Sequence, residues 1–202
     1  MAEKNSVIYF EGIDDLLICF MEEEDTITTE PKYEAEVHRL PIITKLGVKG
    51  NGSTKVKYAS SKVFRRVSKE DKHDLELEHV GIPIKILDQM KALTSNRGVV
   101  FTKGVAKSNP YFALGFIGRM ENGERMAVWY PKVQLNDATE LDYETTEEED
   151  DIKDVKASFS AGCLLFNEVL NGAFDSTRKD TDQISLEEFI KVPMYKEEQL
   201  KK

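Results

Sequence analysis

The strongest constraint on the fold is a pair of alternating apolar stretches separated by Asn122-Gly123. Asn-Gly is the strongest short-range signal for a type I′ turn between two strands, because both central residues need positive φ. We therefore predict a hairpin over residues 110–134, and a two-residue turn pairs Phe116 with Trp129. Both side chains are predicted to lie in the core, on one shared face. The first-strand residues on that face are Phe112, Leu114 and Phe116.

The rest of the chain has to cover this hairpin, since an isolated hairpin is only marginally stable in water. The 202 residues suffice for a single domain, 1–202, with an N-terminal arm (1–10), an acidic loop (135–154) and a flexible C-terminal tail (194–202). Strands do not alternate with helices, which excludes a doubly wound parallel sheet. The predicted fold is mainly β: two packed antiparallel sheets, as a β-sandwich or flattened barrel, flanked by one α-helix, with extended loops and a terminal arm.

Local patterns predict the individual strands. The segment LLICFM, residues 16–21, is apolar on both faces, as expected of a strand buried within a sandwich. The segment DLELEHV, residues 74–80, is a half-buried strand with Leu75 and Leu77 facing inward. Further strands are predicted over 7–10, 26–29, 33–40, 42–48, 55–58, 63–67, 98–105 and 155–161, a flexible connection at Gly47, Gly50 and Gly52, and a polar loop over 171–183.

Two short helices are also predicted. Pro83 suits the first position of a helix, where its missing N–H costs nothing, and apolar residues then recur at helical spacing from Ile84 to Leu93. Ser185 and Glu188 have the spacing of a capping box, and Pro193 ends the helix that they open.

Charge and the start of the chain narrow the class of protein. The net charge is −9 and the pI is near 5.0, which argues against a protein that grips nucleic acid by neutralising phosphates. The segment MAEKNSVIYF, residues 1–10, is not typical of a signal peptide, and no apolar run approaches the length of a membrane span. We therefore expect synthesis in a cytosol and no membrane anchor.

No residue pattern predicts catalysis, a cofactor or a metal. Cys19 and Cys163 lie in apolar runs and are expected to be buried thiols rather than a disulfide. The three histidines lack zinc spacing. They are His38, His73 and His79. The acidic pair Glu140 and Asp142 suggests glycosidase carboxylates, and residues 147–151 suggest calcium, but the first pair lies in a solvated acidic run and the second lacks the spacing of an EF-hand. The chain is predicted not to be an enzyme.

The hairpin resembles a signature of the major tail proteins, or tail tube proteins, of long-tailed, non-contractile bacteriophages of Gram-positive hosts. In that family a Pro-Tyr-aliphatic-Ala-Leu-Gly-Phe segment leads through Asn-Gly to a Val-Trp-Tyr return strand, and an acidic Tyr-x-Thr loop follows. The matching residues here are Pro110, Tyr111, Ala113, Leu114, Gly115, Phe116, Asn122, Gly123, Val128, Trp129, Tyr130 and the run Tyr143-Glu144-Thr145-Thr146-Glu147.

The resemblance extends diffusely over residues 10–192. The segments GIDDLL (12–17) and KVKYASSKVF (55–64), with the later DLELEHVGIPIKILDQM (74–90), resemble the family's order of strands and helix. Two features depart from the family. Tyr58-Ala59-Ser60-Ser61 lacks the usual acids, and the N-terminal half lacks a Tyr-Gly-x-Pro turn. Residues 167–183 have no counterpart.

The resemblance implies a structural virion protein. Family members are β-sandwiches with a flanking helix that close into hexameric rings, and the rings stack head to tail into the tube through which DNA is delivered. The implied partners are further copies of the chain, the tape measure protein, the tail terminator and distal tail proteins. DNA passes through the lumen without specific binding, an acidic lumen repels its phosphates, and the implied location is the virion, with the host cytoplasm during assembly.

Two other readings stay open. One is a phage decoration or baseplate protein, which would share the sandwich. The other is a soluble β-sandwich binding module for calcium or carbohydrate, which should be monomeric and should expose an aromatic platform.

Overall fold

The computed structural model describes residues 9–59, 62–105, 107–136, 154–178 and 180–201. These residues form nine strands and two α-helices, joined by three short 3-10 turns. The strands are β1 (Phe10–Glu23), β2 (Lys32–Tyr33), β3 (His38–Leu40), β4 (Ile43–Ala59), β5 (Lys62–His79), β6 (Phe112–Met120), β7 (Arg125–Leu135), β8 (Val155–Gly162) and β9 (Gly172–Asp175). The helices are α1 (Ile84–Met90) and α2 (Leu186–Ile190), and the 3-10 turns cover Glu121–Gly123, Ser176–Arg178 and Glu197–Leu200.

All strand pairs are antiparallel, and the main path of the sheet is β2-β1-β6-β7-β8-β5-β4. Strand β3 pairs with β1, and β9 pairs with β7. The sheet curls so that β4, at one end of the order, contacts β1 near the other end. The predicted mainly β fold is confirmed, and a sandwich or flattened barrel describes it.

Apolar side chains cover both faces of the central strands. The first core lies inside the curled sheet, where β1, β6 and β7 face β5, β8 and α1. The second core lies on the opposite face of β1, β6 and β7, under β9, α2 and the C-terminal segment. The first core includes Leu16, Ile18, Leu75, Leu77, Phe112, Phe116 and Phe159, and the second includes Leu17, Cys19, Ile117, Trp129, Phe174, Phe189 and Met194.

The hairpin turn is the predicted one, but its register is not. Asn122 (φ 63°) and Gly123 (φ 77°) both have positive φ, as a type I′ turn requires. However, the Met120 amide donates to the Glu124 carbonyl (2.9 Å), which leaves an extra residue on one side of the turn. Gly115 therefore opposes Trp129, so the predicted pairing of Phe116 with Trp129 is wrong by one position.

This one-residue shift moves Trp129 to the other face of the sheet, because side chains alternate along a strand. Phe116 and Trp129 are both buried, as predicted, but in different cores. A Cβ on Gly115 would lie 2.8 Å from the Trp129 ring, so the indole packs directly on the glycine backbone. The indole N–H donates to the Phe189 carbonyl (3.0 Å), which ties the second core to α2.

Several strand predictions need correction. Residues 10–23 form one continuous strand, which absorbs Gly12 and Asp14-Asp15 through shifts in its pairing with β6. Residues 26–29 form a turn that the Thr26 hydroxyl stabilises by accepting from the Thr29 amide (3.0 Å). The predicted strand at 98–105 contains only a single bridge, from Asn96 to Val99. Strand β9 lies within the predicted polar loop, and Gly47, Gly50 and Gly52 lie within β4 instead of a flexible connection.

Both predicted helices are present. Helix α1 is seven residues long, and Pro83 is its N-cap rather than its first residue. The capping box of α2 is confirmed, because the Ser185 hydroxyl accepts from the Glu188 amide (3.2 Å) and the Glu188 carboxylate accepts from the Ser185 amide (2.9 Å). Met194 and Tyr195 are buried, so the predicted flexible tail begins inside the packed fold.

Candidate assembly surfaces

The three histidines occupy separate environments. His38 lies on β3 beside Glu36 (3.7 Å), and the His73 ring nitrogen Nδ1 is 3.1 Å from the Tyr130 hydroxyl. His79, at the end of β5, is buried, and burial lowers its pKa. Among the described residues, no group of three or more His, Cys, Asp or Glu side chains is arranged to hold a metal ion. The acidic pair Glu140 and Asp142 and the run 147–151 lie outside the described residues.

The cysteines are free thiols. Cys19 is fully buried and donates to the Glu34 carbonyl (3.4 Å), and burial raises the pKa of its thiol to about 12. Cys163 is partly buried and donates to the Asp71 carbonyl (3.4 Å), and burial raises its pKa as well. Both environments disfavour the thiolate that a nucleophile requires.

A buried ion pair holds two loops against the sheet. Asp25, in the loop after β1, accepts from the Lys132 ammonium (2.5 Å) and from the Phe166 amide (3.2 Å). The Lys132 ammonium also lies 4.8 Å from the centre of the Tyr111 ring. This network positions the two loops against the sheet.

A cleft of about 480 Å³ opens between β9, the segment that follows it and the C-terminal residues. Its floor includes Phe174 and Phe189, which pack with their ring centres 5.6 Å apart. Charged groups surround it, among them Asp175, Arg178 and Asp182. The cleft could hold a small polar ligand, although none of the described residues that line it has a buried side-chain atom without a hydrogen-bond partner.

A second surface is the outer part of the β4–β5 hairpin. Strand β8 pairs with β5 only over Lys72–His79, so beyond this point β4 and β5 pair only with each other within the described part of the chain. We call residues 51–59 and 62–69 the distal ribbon. At about 3.3 Å per residue, the ribbon extends roughly 25 Å beyond the sheet. A two-stranded ribbon on its own is only marginally stable in water.

Two further exposed surfaces are the outer edge of β4 and the segment before β6. Strand β4 pairs only with β5 among the described strands, so its other edge has no strand partner within that part of the chain. The segment 94–108 carries exposed apolar side chains, of which Phe101 is 79 % exposed and Val105 is 67 % exposed.

The sequence prediction missed the distal ribbon. It divided residues 43–79 into short pieces, because three glycines and the Ser60-Ser61 step were interpreted as breaks. One signal could have identified it: the chain has no acidic residue between Glu36 and Glu70, although acids outnumber bases overall. The negative net charge of the whole chain gives no indication of this basic region.

Comparison with known proteins adds no assignment, since no family model and no curated protein matches this chain. Within the part of the chain that the structure describes, no helix is long and apolar enough to cross a membrane. The functional proposal therefore depends on the fold, the exposed surfaces and the resemblance in the hairpin.

Proposed function

We propose that this chain is a tail tube subunit of a long-tailed, non-contractile bacteriophage. In this proposal it assembles with itself into hexameric rings, and the rings stack into the tube through which DNA is delivered. Its partners are further copies of the chain, together with the tape measure protein, the tail terminator and distal tail proteins, and its location is the virion.

The observation that carries the proposal is the amount of β structure that has no strand neighbour within the described part of the chain. One edge of β4 (Ile43–Ala59) has no strand partner there, and the distal ribbon projects from the sheet. Soluble monomers normally cover or shorten such edges. A subunit that completes its sheets with its neighbours has a use for them, and contact between two different surfaces propagates as a ring or a filament.

The resemblance supports the same proposal. Its most specific residues lie on β6 and β7, the two central strands, where Gly115 and Trp129 pack against each other. This contact explains why a glycine stands at position 115, because any larger residue would collide with the Trp129 ring. The same contact is also compatible with an unrelated β protein that has these two strands, so self-assembly has to be tested directly.

The test uses the purified full chain at high concentration, with sizing chromatography beside negative-stain microscopy. We expect rings or tubes with a central hole. A protein that stays monomeric under all conditions, including with tail-completion partners, contradicts the proposal. Closed rings that never stack favour a decoration or baseplate protein.

A matched variant asks whether the acidic loop takes part. Leu135 is buried and the Asn136 amide donates to the Ser158 carbonyl (2.9 Å), so the variant keeps Asn136 and Asp154 and replaces residues 137–153 by a Gly-Ser linker of about eight residues. The linker is needed because Asp154 comes four residues before Ser158, about 13 Å away at the rise of a strand. This variant should fold as the wild type does and fail to stack. Normal tubes from it would show that the loop makes no contact between rings.

The cleft beside β9 favours a second candidate, a binding module. That function predicts a strictly monomeric protein with calorimetric binding of calcium or of a sugar. Substitution of Arg178 by alanine should weaken binding of a sugar, because Arg178 lines the cleft and its guanidinium can donate hydrogen bonds to hydroxyl groups.

A further inference from the structure

The net charge of the chain is concentrated in one segment. Residues 137–154 contain ten of the 37 acidic residues and one of the 28 basic residues, Lys153, so the remainder has 27 of each and is neutral. The entire net charge of −9 therefore resides in these 18 residues.

The opposite charge is concentrated in the distal ribbon. Residues 51–69 contain six basic residues and no acidic residue. Nearer the sheet, each cation has an acidic neighbour: Lys45 pairs with Glu78 (3.1 Å), and Lys49 lies opposite Asp74. At the inner end of the ribbon, Lys69 lies 3.6 Å from Asp71. Farther out, Lys57 lies opposite Arg65, an arrangement of like charges that destabilises an isolated pair of strands. The six basic residues are Lys55, Lys57, Lys62, Arg65, Arg66 and Lys69.

The two charged regions are attached at opposite ends of β5. The acidic segment leaves the fold at the His79 end, where Val155 pairs with His79 and the Asp154 carboxylate accepts from the Thr44 hydroxyl (3.0 Å). The ribbon begins past Lys72, at the other end. Charges of opposite sign at opposite ends of one molecule favour head-to-tail contact between copies.

Chain length separates the two regions within one copy. Arg65 lies fourteen residues along β5 from His79, or about 45 Å at the rise of a strand. A segment of this length anchored at both Asn136 and Asp154 extends at most about 30 Å from its anchors, even fully stretched. The centre of the basic ribbon is therefore out of reach of the acidic segment of the same chain.

We infer that the distal ribbon of one copy binds the acidic segment 137–153 of the next copy, and that this contact sets the head-to-tail direction of assembly. This inference rests on the proposed function and names the partner of the ribbon. Each copy supplies one ribbon and one segment, so the contact can repeat from copy to copy along an assembly.

A nucleic acid is the other polyanion that could occupy a basic ribbon. The acidic segment is favoured because it is present in every copy in a one-to-one ratio, and because its charge equals the net charge of the whole chain. The test below includes DNA for this reason.

The experiment exchanges the charges. The ribbon variant carries Lys55→Glu, Lys57→Glu, Lys62→Glu, Arg65→Glu, Arg66→Glu and Lys69→Glu. The segment variant carries Glu144→Lys, Glu147→Lys, Glu148→Lys, Glu149→Lys, Asp150→Lys and Asp151→Lys. The exchanged variant carries both sets, so it keeps the net charge of the wild type. Like charges remain opposite each other within the ribbon in every case, and circular dichroism checks that each variant folds.

Self-association is measured by sedimentation velocity at low salt. We expect each single variant to associate at least about tenfold more weakly than the wild type, and the exchanged variant to regain association. Raising the salt to about 1 M, where the Debye length is near 3 Å, should weaken association of the wild type and of the exchanged variant alike.

A control separates the ribbon from net charge. It replaces six lysines outside the ribbon and outside segment 94–108 by glutamate and so has the same net charge as the ribbon variant; these are Lys32, Lys85, Lys156, Lys191, Lys201 and Lys202. It should associate as the wild type does, and an equal loss in this control would overturn the inference.

Three further results would also overturn it: normal association of either single variant, failure of the exchanged variant to recover, or a wild type that does not self-associate at low salt. Binding of duplex DNA that is lost in the ribbon variant, with self-association unchanged, would assign the ribbon to nucleic acid. The proposed function is judged separately, by whether the wild-type assemblies are rings with a central hole. Charge-dependent association without such rings supports the ribbon contact and contradicts the tube.

Discussion

The central strands and the distal ribbon differ in almost every contact that a strand can make. Strands β1, β6 and β7 have neighbours along both edges and an apolar core on each face, so that Leu16, Leu114 and Trp129 are fully buried. The ribbon strands pair only with each other within the described part of the chain. The stability of the folded chain therefore resides in the central strands, whereas the ribbon is proposed to gain its contacts from another copy.

The sequences of the two regions reflect this difference. The strand FALGFIGRM is apolar on both faces, which suits a strand with a core on each side. The ribbon interleaves basic and polar residues with apolar ones and has no acid. Substitutions in the central strands should therefore change mainly the free energy of unfolding. Changes in the ribbon should affect mainly the association constant.

The largest loss of stability should come from Trp129→Ala. Trp129 is fully buried, packs on Gly115 and donates to the Phe189 carbonyl. Loss of a buried aromatic side chain lowers the free energy of unfolding by about 3–5 kcal/mol. Urea unfolding followed by circular dichroism measures this loss.

Trp129→Phe is the matched control, since it keeps an aromatic ring and loses the indole hydrogen bond. Its loss should be smaller than that of Trp129→Ala. If Trp129→Ala costs less than about 1 kcal/mol, the second core does not stabilise the central strands as the packing indicates.

A smaller, pH-dependent effect should come from His79, at the end of β5. The ring is buried with Nδ1 lacking a hydrogen-bond partner among the described residues, and burial lowers its pKa, opposed by the charge of Asp154. The unfolded chain then binds a proton more readily than the folded one. The stability that the neutral ring provides is present above the unfolded pKa of about 6.5 and is lost as the pH falls below it.

The free energy of unfolding at pH 7.5 and 5.5 tests this direction. The wild type should lose more stability between these values than His79→Gln, whereas His38→Gln, with a partly exposed ring, should behave as the wild type does. Equal losses in the wild type and His79→Gln would show that His79 does not contribute to the acid sensitivity of the fold.

Local chemistry made much of this fold predictable. The Asn122-Gly123 turn, the capping box of α2 and the inward direction of Leu75 and Leu77 all depend on residues within a few positions of one another. The hairpin register was not predictable from polarity, because Ala113 and Ile117 make the second face of β6 apolar as well. Polarity specifies register only where one face is polar, and here both registers bury apolar side chains.

The candidate assembly surface was predictable only in part. The acidic loop was evident from composition, whereas the ribbon was divided at Gly47, Gly50 and Gly52, which are ordinary turn residues. In β4 these glycines lie in an exposed strand, where β5 fixes their extended conformation by pairing. That long-range pairing is the information that local patterns lack.

The smallest effect on stability should come from removing the ribbon itself. Replacing residues 53–69 by Asn-Gly places a two-residue turn between Gly52 and Glu70, which already lie opposite each other. The pairing of β5 with β8 over Lys72–His79 and both cores are untouched. The free energy of unfolding should therefore change by less than about 1 kcal/mol, while self-association in sedimentation velocity is lost.

Trp129→Ala should show the reverse, with reduced stability and retained association at low temperature. If the ribbon deletion lowers the free energy of unfolding by more than about 2 kcal/mol, the ribbon stabilises the fold of its own chain. An isolated pair of strands is too weakly stable to account for a loss of that size.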